Sequence, residues 1–225
     1  MAHTQFLGVY DNRDRCVNQG AAMTTWNPSD AGAGITFSNG NLTVTAPSST
    51  PQRSVRGTTS KTTGKWYYES TSTGTMGNCL IGIANAAADM TTMALVGSIV
   101  VNVATGYNFN NNNLDGPYFT AWAINDVCCI AVDLVHLTIW FRKNNGVWNG
   151  THTPTGDPTN NVGGLDISWL GAGNAAFPMI AFNTTNALSE TADFGATSPA
   201  YTVPGSFAIW DGSVVSSVFS IHPFV

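Results

Sequence analysis

Five carboxylates are the residues of this sequence that could perform hydrolytic chemistry. Glycoside hydrolysis requires two carboxyl groups that face each other across the scissile bond. The candidates are Glu69, Asp126, Asp133, Glu190 and Asp193. Asp126 and Asp133 bracket one apolar run, where turn and strand-edge roles explain them, and no spacing pairs the five convincingly. The sequence therefore predicts no catalytic residue and no enzyme.

Histidine and cysteine form no metal or nucleophile pattern. The four histidines are far apart in predicted loops or termini: His3, His136, His152 and His222. The four cysteines have no C-x-x-C spacing: Cys16, Cys79, Cys128 and Cys129. We interpret them as buried, reduced thiols of a protein folded in cytoplasm, with a disulfide or a metal role as the alternative. No glycine pattern for holding a phosphate occurs, so we expect no metal and no cofactor.

The composition excludes several classes of protein. The net charge is −5, and the eight Lys and Arg are scattered, so we expect no nucleic-acid partner. No secretory signal and no apolar run long enough to span a membrane is visible. Charged residues make up 9% of the chain, against roughly 25% in ordinary soluble proteins. A surface of Thr, Asn and small residues favours a subunit of an assembly, or a protein outside a cell.

The stretch from Asp126 to Gly150 organises the predicted fold. Val127 to Leu134 is apolar on both faces except at Asp133, which indicates a strand in the middle of a packed sheet. Leu137 to Lys143 repeats the pattern after only two residues, so the two runs predict an antiparallel hairpin. Asn144-Asn145-Gly146 predicts a tight turn, after which Val147 and Trp148 begin the return.

Other segments give a series of short strands. Two further pairs are predicted, one from Ile35–Ser38 and Asn41–Thr45 around Asn39-Gly40, the other from Phe177–Phe182 and Leu188–Phe194. Single strands are predicted at 53–56, 64–69, 79–84 and 99–103, loops at 107–114 and 151–164, and one helical turn within 86–93. Turns every roughly 8 to 12 residues predict an all-β antiparallel sandwich or barrel. We divide the chain into an N-terminal arm (1–24), one domain (25–212) and a tail (213–225) that forms an extra strand.

Several motifs in order resemble those of a SPRY domain. They are Gly64-Lys-Trp-Tyr-Tyr-Glu69, Ile81-Gly-Ile83, Ala131-Val-Asp-Leu134, Ile139-Trp-Phe141, Asp193-Phe-Gly195 and Trp210. The turn at Val135-His136 departs from the family, which often has Asn and Gly there, and Asp193 stands where Asn is common. The start at Trp26-Asn-Pro-Ser-Asp30 and the stretch Lys143–Gly150 are most similar to SPRY-like proteins of bacteriophages and prophages.

The resemblance implies a bent antiparallel β-sandwich that binds proteins through loops at one end and has no catalytic activity. With the low charge, it leads to the hypothesis of a non-enzymatic phage virion structural protein, on the tail or the head surface. Its partners would be other virion proteins or a host surface receptor, and it would form a homo-oligomer or part of a larger assembly. Localisation in the virion is expected, after synthesis in host cytoplasm. The alternative functions are a receptor-binding or peptide-binding SPRY module and, less favoured, a glycan-active virion enzyme, and the alternative localisation is cytoplasmic.

Candidate partner-binding residues come from predicted loops. Large aromatic side chains anchor interfaces, and flexible polar loops adapt to a partner. The candidates are Asn110, Asn112, Tyr118, Trp122, Trp148 and Trp169. Packing in the core is the alternative for each aromatic residue, and a solvated loop is the alternative for the asparagines.

Overall fold

A computed structural model describes residues 23–211 of the chain, apart from 48–51, 75–76, 94 and 184–187. The described residues form fourteen strands and two short 3₁₀ helices, Pro28–Asp30 and Ser168–Leu170. The strands are β1 Thr36–Ser38, β2 Thr43–Ala46, β3 Arg53–Arg56, β4 Lys65–Ser72, β5 Cys79–Asn85, β6 Ser98–Asn102, β7 Asn108–Asn110, β8 Asn113–Asp115, β9 Val127–Asp133, β10 Thr138–Lys143, β11 Leu165–Asp166, β12 Ala176–Phe182, β13 Leu188–Asp193 and β14 Ala208–Ile209.

The strands form two sheets. The first has the order β1-β2-β13-β4-β9-β10-β11, with β14 pairing with β4, and the second has the order β3-β12-β5-β6-β7-β8. All pairs are antiparallel except that of β14 with β4. The predicted all-β antiparallel sandwich is confirmed.

The β9–β10 hairpin lies inside the first sheet, as predicted. Cys128, Ile130 and Val132 belong to the core between the sheets, whereas Cys129 and Ala131 belong to a second apolar cluster on the outer face. Both faces of β9 are therefore buried, which explains why both are apolar. Lys143 pairs with Cys128 at one end of the hairpin, and Thr138 with Asp133 at the other.

Asp133 stabilises the turn between β9 and β10, which lacks the family's Asn and Gly. Its Oδ1 accepts hydrogen bonds from the backbone N–H of Val135 and of His136, and its Oδ2 lies 3.1 Å from Lys65 Nζ. Burial would raise the pKa of Asp133, but these partners and His136 hold it below its ordinary value. The turn places Leu137 at φ 55°, so β10 begins one residue later than predicted.

A segment of residues 195–207, which we call the cover segment, packs on the outer face of the first sheet. Glu69 Oε2 and Oε1 accept hydrogen bonds from the backbone N–H of Ala200 and Tyr201 at 2.7 and 3.0 Å. Arg142 Nη2 donates to Thr202 O at 3.0 Å. Phe207 contacts Trp140 edge-on. The buried Glu69 thus anchors a cover over the second apolar cluster.

Three local predictions are wrong. The strands predicted as a pair, β12 and β13, lie in different sheets: β12 pairs with β3 and β5, whereas β13 pairs with β2 and β4. The predicted loop 107–114 contains the hairpin of β7 and β8, because Asn111 and Asn112 adopt the positive φ that a tight turn needs. Residues 86–93 form turns rather than a helical turn.

The return after β10 also differs from the prediction, because Val147 does not lie in a strand and Trp148 makes only an isolated bridge with Gly156. The short strands predicted at 53–56, 64–69, 79–84 and 99–103 correspond to β3, β4, β5 and β6. Cys79, Cys128 and Cys129 are buried free thiols, as predicted, and burial raises the pKa of each.

The two ends of the described chain meet. The backbone N–H of Thr24 donates to both carboxylate oxygens of Asp211, at 3.1 and 3.0 Å. Trp210 N donates to Tyr67 O, near the start of β4. The predicted arm, apart from Met23 and Thr24, and the predicted tail strand lie outside the described residues. Both segments therefore attach to the sandwich at one place.

Candidate functional site

Several connections gather at one end of the sandwich, which we call the loop end. It is the end at which β4 finishes with Ser72 and β9 begins with Val127. Residues 116–126 precede β9 here, and residues 144–156 follow β10 here. In a sandwich, such clustered connections are free to vary without disturbing the sheets, and they commonly bind partners.

Asp126 fixes the two loops against each other. Its carboxylate accepts hydrogen bonds from Ala123 N at 2.6 Å and from Asn144 Nδ2 at 2.7 Å, and it pairs with Lys143 Nζ at 2.9 Å. Lys143 Nζ also donates to Ala121 O at 2.7 Å. Burial would raise the pKa of Asp126, but these donors outweigh it and hold the pKa below its ordinary value. Asp126 is thus a structural carboxylate.

The backbones of the loops 116–126 and 144–156 also approach each other closely, at Tyr118 and Gly150. Thr151 N donates to Tyr118 O at 2.8 Å. Gly150 has φ 53°, and a Cβ at this position would lie 1.9 Å from Tyr118 O. Only glycine allows both this conformation and this approach. Asn149, the residue before Gly150, is held in place by its side chain. Its Oδ1 accepts a hydrogen bond from Phe141 N, and its Nδ2 donates to Gly163 O.

An open pocket of about 400 Å³ lies between these loops, and we call it the loop-end pocket. Its lining consists of Tyr118, Phe119, Thr120, Lys143, Gly146, Val147, Gly150, Thr151 and Pro154. Most of the side chains that line it are apolar, and the Lys143 ammonium is already paired with Asp126. Val147 is 55% exposed, and Ile124, in the loop 116–126, is 54% exposed. The pocket is suited to an apolar side chain rather than to a charged one.

The structure places three of the six candidate residues in the pocket lining or next to it: Tyr118, Trp122 and Trp148. Tyr118 lines it but is 5% exposed, and its ring stacks on His152. Trp148 follows Val147 and is half-buried beneath Arg142, whose guanidinium lies 4.3 Å from its ring centroid. Trp122 is buried, and its ring packs against Phe119 of the pocket wall. Tyr118 and Trp122 therefore support the pocket from within.

The other three candidates lie elsewhere. Trp169 Nε1 donates to Asn110 Oδ1 at 2.7 Å, and Asn110 Nδ2 donates to Asp166 O at 2.8 Å. These bonds join β7 of the second sheet to the segment around β11 of the first. Asn112 is exposed in the β7–β8 turn, with φ 67°. The structure thus does not bring the six residues together.

The pocket residues that sequence reasoning missed are Phe119, Val147, Gly150 and Pro154. Asn149 and Gly150 both adopt positive φ, as Asn and Gly readily do, but the contact of Gly150 with Tyr118, about thirty residues away, has no local sequence signal. Val147 is predicted to begin the return after the turn, and its side chain is exposed at the loop end.

The carboxylates do not form a hydrolytic pair in the described chain. Glu69 points to the outer face of the first sheet, towards the cover segment, whereas Glu190 points into the interior beside Ser70 and Ser72. Burial raises the pKa of Glu190 to about 7, although hydrogen bonds from Ser72, Ser70 and Cys79 oppose this shift. Asp193 accepts hydrogen bonds from Gly195 N and Thr197 N and fixes a turn.

Within the described ranges, no cluster of three or more His, Cys, Asp or Glu side chains is arranged to bind a metal ion. The same residues contain no helix with the length and apolarity needed to cross a membrane.

Comparison with solved structures identifies the architecture. The chain superposes on the SPRY domain of human HERC1 with a TM-score of 0.60 and 13% identity, over 77% of this chain and 99% of that domain. This chain has the SPRY fold. The PSpry domain of TRIM65 matches with a TM-score of 0.56 and 11% identity, over 76% of this chain and 92% of that one. No protein-family model matches the sequence, and no curated protein matches it.

The SPRY fold accounts for the order of the motifs noted in the sequence. Trp66, Tyr68 and Trp210 meet where β4 and β14 pair, with ring centroids 6.4 Å apart for the two tryptophans and 5.7 Å apart for Tyr68 and Trp210. Phe194 contacts Trp26 and Tyr68. Trp26, Tyr68, Phe194 and Trp210 are therefore buried core residues, and Trp66 is half-buried and packs against this core.

Proposed function

We propose that this protein is a non-enzymatic protein-binding domain whose contact surface is the loop-end pocket. The observation that carries the proposal is an apolar pocket of about 400 Å³ between two loops that are rigidly tied to each other. A preformed pocket loses little conformational entropy when a partner's side chain enters it, so affinity can come from a small contact.

Two exposed apolar side chains of the loop end, one in the pocket lining and one in the loop 116–126, can contribute to binding. Val147 and Ile124 both expose more than half of their side chains. Burial of two such side chains by a partner contributes about 2–4 kcal/mol. A central apolar anchor of this size matches the few residues that dominate ordinary protein interfaces.

A finer proposal is that the protein is a structural component of a phage virion, on the tail or the head surface. The charged fraction of 9% supports it, because such a surface is poorly suited to a free monomer and suits a subunit of an assembly. Its partners would be other virion proteins or a host surface receptor. A receptor-binding or peptide-binding module that acts alone is the second candidate, favoured by the open mouth of the pocket.

The experiment that tests the protein-binding proposal is a selection from a displayed library of random dodecapeptides. We expect the full chain to enrich peptides with aromatic or large aliphatic residues, and we expect Val147→Asp to reduce their affinity at least tenfold, because a charge would be buried at the contact. Peptide affinities are measured by fluorescence anisotropy.

The matched control is Val96→Asp. Val96 is an exposed valine in the connection from β5 to β6, at the opposite end of the sandwich. This variant is expected to bind the selected peptides as the wild type does. Failure to enrich any peptide, or equal binding by the Val147→Asp variant, would refute the proposal.

A further inference from the structure

We propose that the loop-end pocket receives residues 212–225 of a second copy of this chain, so that copies associate head to tail. This inference rests on the proposed function of the pocket and names its partner. Three observations support it: the chemistry of residues 212–225, the place where they leave the sandwich, and the character of the pocket.

Residues 212–225 have the composition of a segment that requires an apolar partner. They contain no Asp, Glu, Lys or Arg, and their apolar side chains are Val214, Val215, Val218, Phe219, Ile221, Phe224 and Val225, with Pro223. The N-terminal segment is the competing occupant, but it carries Asp11, Arg13, Asp14 and Arg15. The pocket has no unpaired charge for either segment to bind, because its Lys143 is paired with Asp126. The uncharged segment is therefore the better match.

The point of departure lies away from the pocket. Residue 212 follows Asp211, which is bonded to Thr24 and to Phe194 O beside the start of β4. The pocket lies at the other end of β9 and β10, where Lys143 pairs with Cys128. Fourteen residues from 212 to 225 can extend over about 45 Å.

A path over the outer face of the first sheet to the pocket of the same copy meets the cover segment, which contacts Glu69, Arg142 and Trp140 there. Docking on a neighbouring copy does not require this path. The inference therefore assigns the segment to the pocket of a second copy.

One aromatic side chain of the segment can anchor it in the pocket. If residues 214–221 are extended, Phe219 and Ile221 lie on one face, with Ser220 on the other. Tyr118, Phe119, Val147 and Pro154 provide an apolar lining for the Phe219 ring. Because the two contacting surfaces differ, the interface is heterologous, and a pair of copies keeps one free pocket and one free segment.

A mixing experiment with full-length variants tests this inference. Light scattering is recorded across concentration for the wild type, Val147→Asp, Phe219→Asp and an equimolar mixture of the two variants. We expect the wild-type mass to rise with concentration, and each variant alone to remain a monomer, with association weakened roughly thirtyfold or more. The mixture is expected to form dimers and nothing larger, because only one intact pocket meets one intact segment.

The control for the charge itself is Ser220→Asp, which adds the same carboxylate on the opposite face and is expected to associate like the wild type. A wild type that is monomeric at every concentration, or a mixture that stays monomeric, would overturn the inference. If Val147→Asp loses the selected peptides while Phe219→Asp changes no mass, the pocket binds proteins but its partner is not this segment. Circular dichroism confirms that each variant is folded.

Discussion

The free energy of unfolding of the wild type is expected to fall by about 3 kcal/mol between pH 4.5 and pH 7, and the variant Glu190→Gln is expected not to show this fall. Glu190 is 2% exposed and lies between the sheets. Its hydrogen-bond donors are uncharged: the hydroxyls of Ser70, at 3.2 Å, and Ser72, and the thiol of Cys79, none of which neutralises a carboxylate. Burial therefore outweighs these hydrogen bonds and raises the pKa of Glu190.

The sign follows from the pKa of Glu190 in the two states. Burial raises the pKa from 4.5 to about 7 in the folded protein, so the unfolded chain releases the proton first as the pH rises. Between these values the folded state binds more protons, and the free energy of unfolding falls by about 1.4 kcal/mol per pH unit. The stabilisation is complete below pH 4.5 and is lost by about pH 7.

Urea unfolding at several pH values measures this effect. Burial also raises the pKa of Asp211, so the difference between wild type and Glu190→Gln at each pH is the informative quantity. We expect the two proteins to be similar at pH 4.5 and the variant to be more stable at pH 7.5 by about 2–3 kcal/mol. Parallel pH profiles would show that Glu190 is ionised in the folded state.

The variant Gly150→Ala is expected to destabilise the protein by about 3 kcal/mol or more, and Gly40→Ala by only about 1 kcal/mol. Both glycines have positive φ, 53° and 62°, so both variants introduce similar backbone strain. A Cβ on Gly40 meets nothing within 4 Å, whereas one on Gly150 lies 1.9 Å from Tyr118 O and 2.8 Å from Tyr118 C. The clash separates the two loops of the pocket.

Urea unfolding of both variants tests this expectation, and Gly150→Ala is also expected to lose the peptides selected by the wild type. Equal destabilisation by the two variants would show that the approach of Gly150 to Tyr118 is not required. Retained peptide binding by Gly150→Ala would show that the pocket does not depend on this contact.

The strands were largely predictable because burial leaves a local pattern. The runs at 127–134 and 137–143 are apolar on both faces, and the structure buries both faces. Asn39-Gly40 similarly predicted the β1–β2 hairpin. The hairpin at 108–115 was missed although Asn111 and Asn112 suit its turn, because three-residue strands of mostly asparagine have no apolar alternation.

Pairing between sheets could not be predicted from neighbouring positions in the chain. The short connection from β12 to β13 suggested a hairpin, but the chain passes there from one sheet to the other, as sandwiches permit. The pocket could not be predicted from the sequence either. It exists because Tyr118 O meets Thr151 N and Asp126 meets Lys143, and neither contact has a sequence pattern.

The burial of aromatic residues in loops is a further feature that the sequence does not reveal. Tyr118 and Trp122 occur in a loop of the sequence, yet the structure buries both of them. A large aromatic side chain in a connection buries its surface wherever the sandwich is open at its end. The smaller Val147 remains exposed, and it is the better candidate for contact with a partner.

Hydrogen–deuterium exchange of the full chain at low and at high protein concentration tests the central claim most directly, since it locates the contact surface. We predict that the backbone amides of residues 118–120 and 146–151 become protected as the concentration rises. Protection confined to another surface, such as the exposed strand β8, or no change at any concentration, would contradict the account.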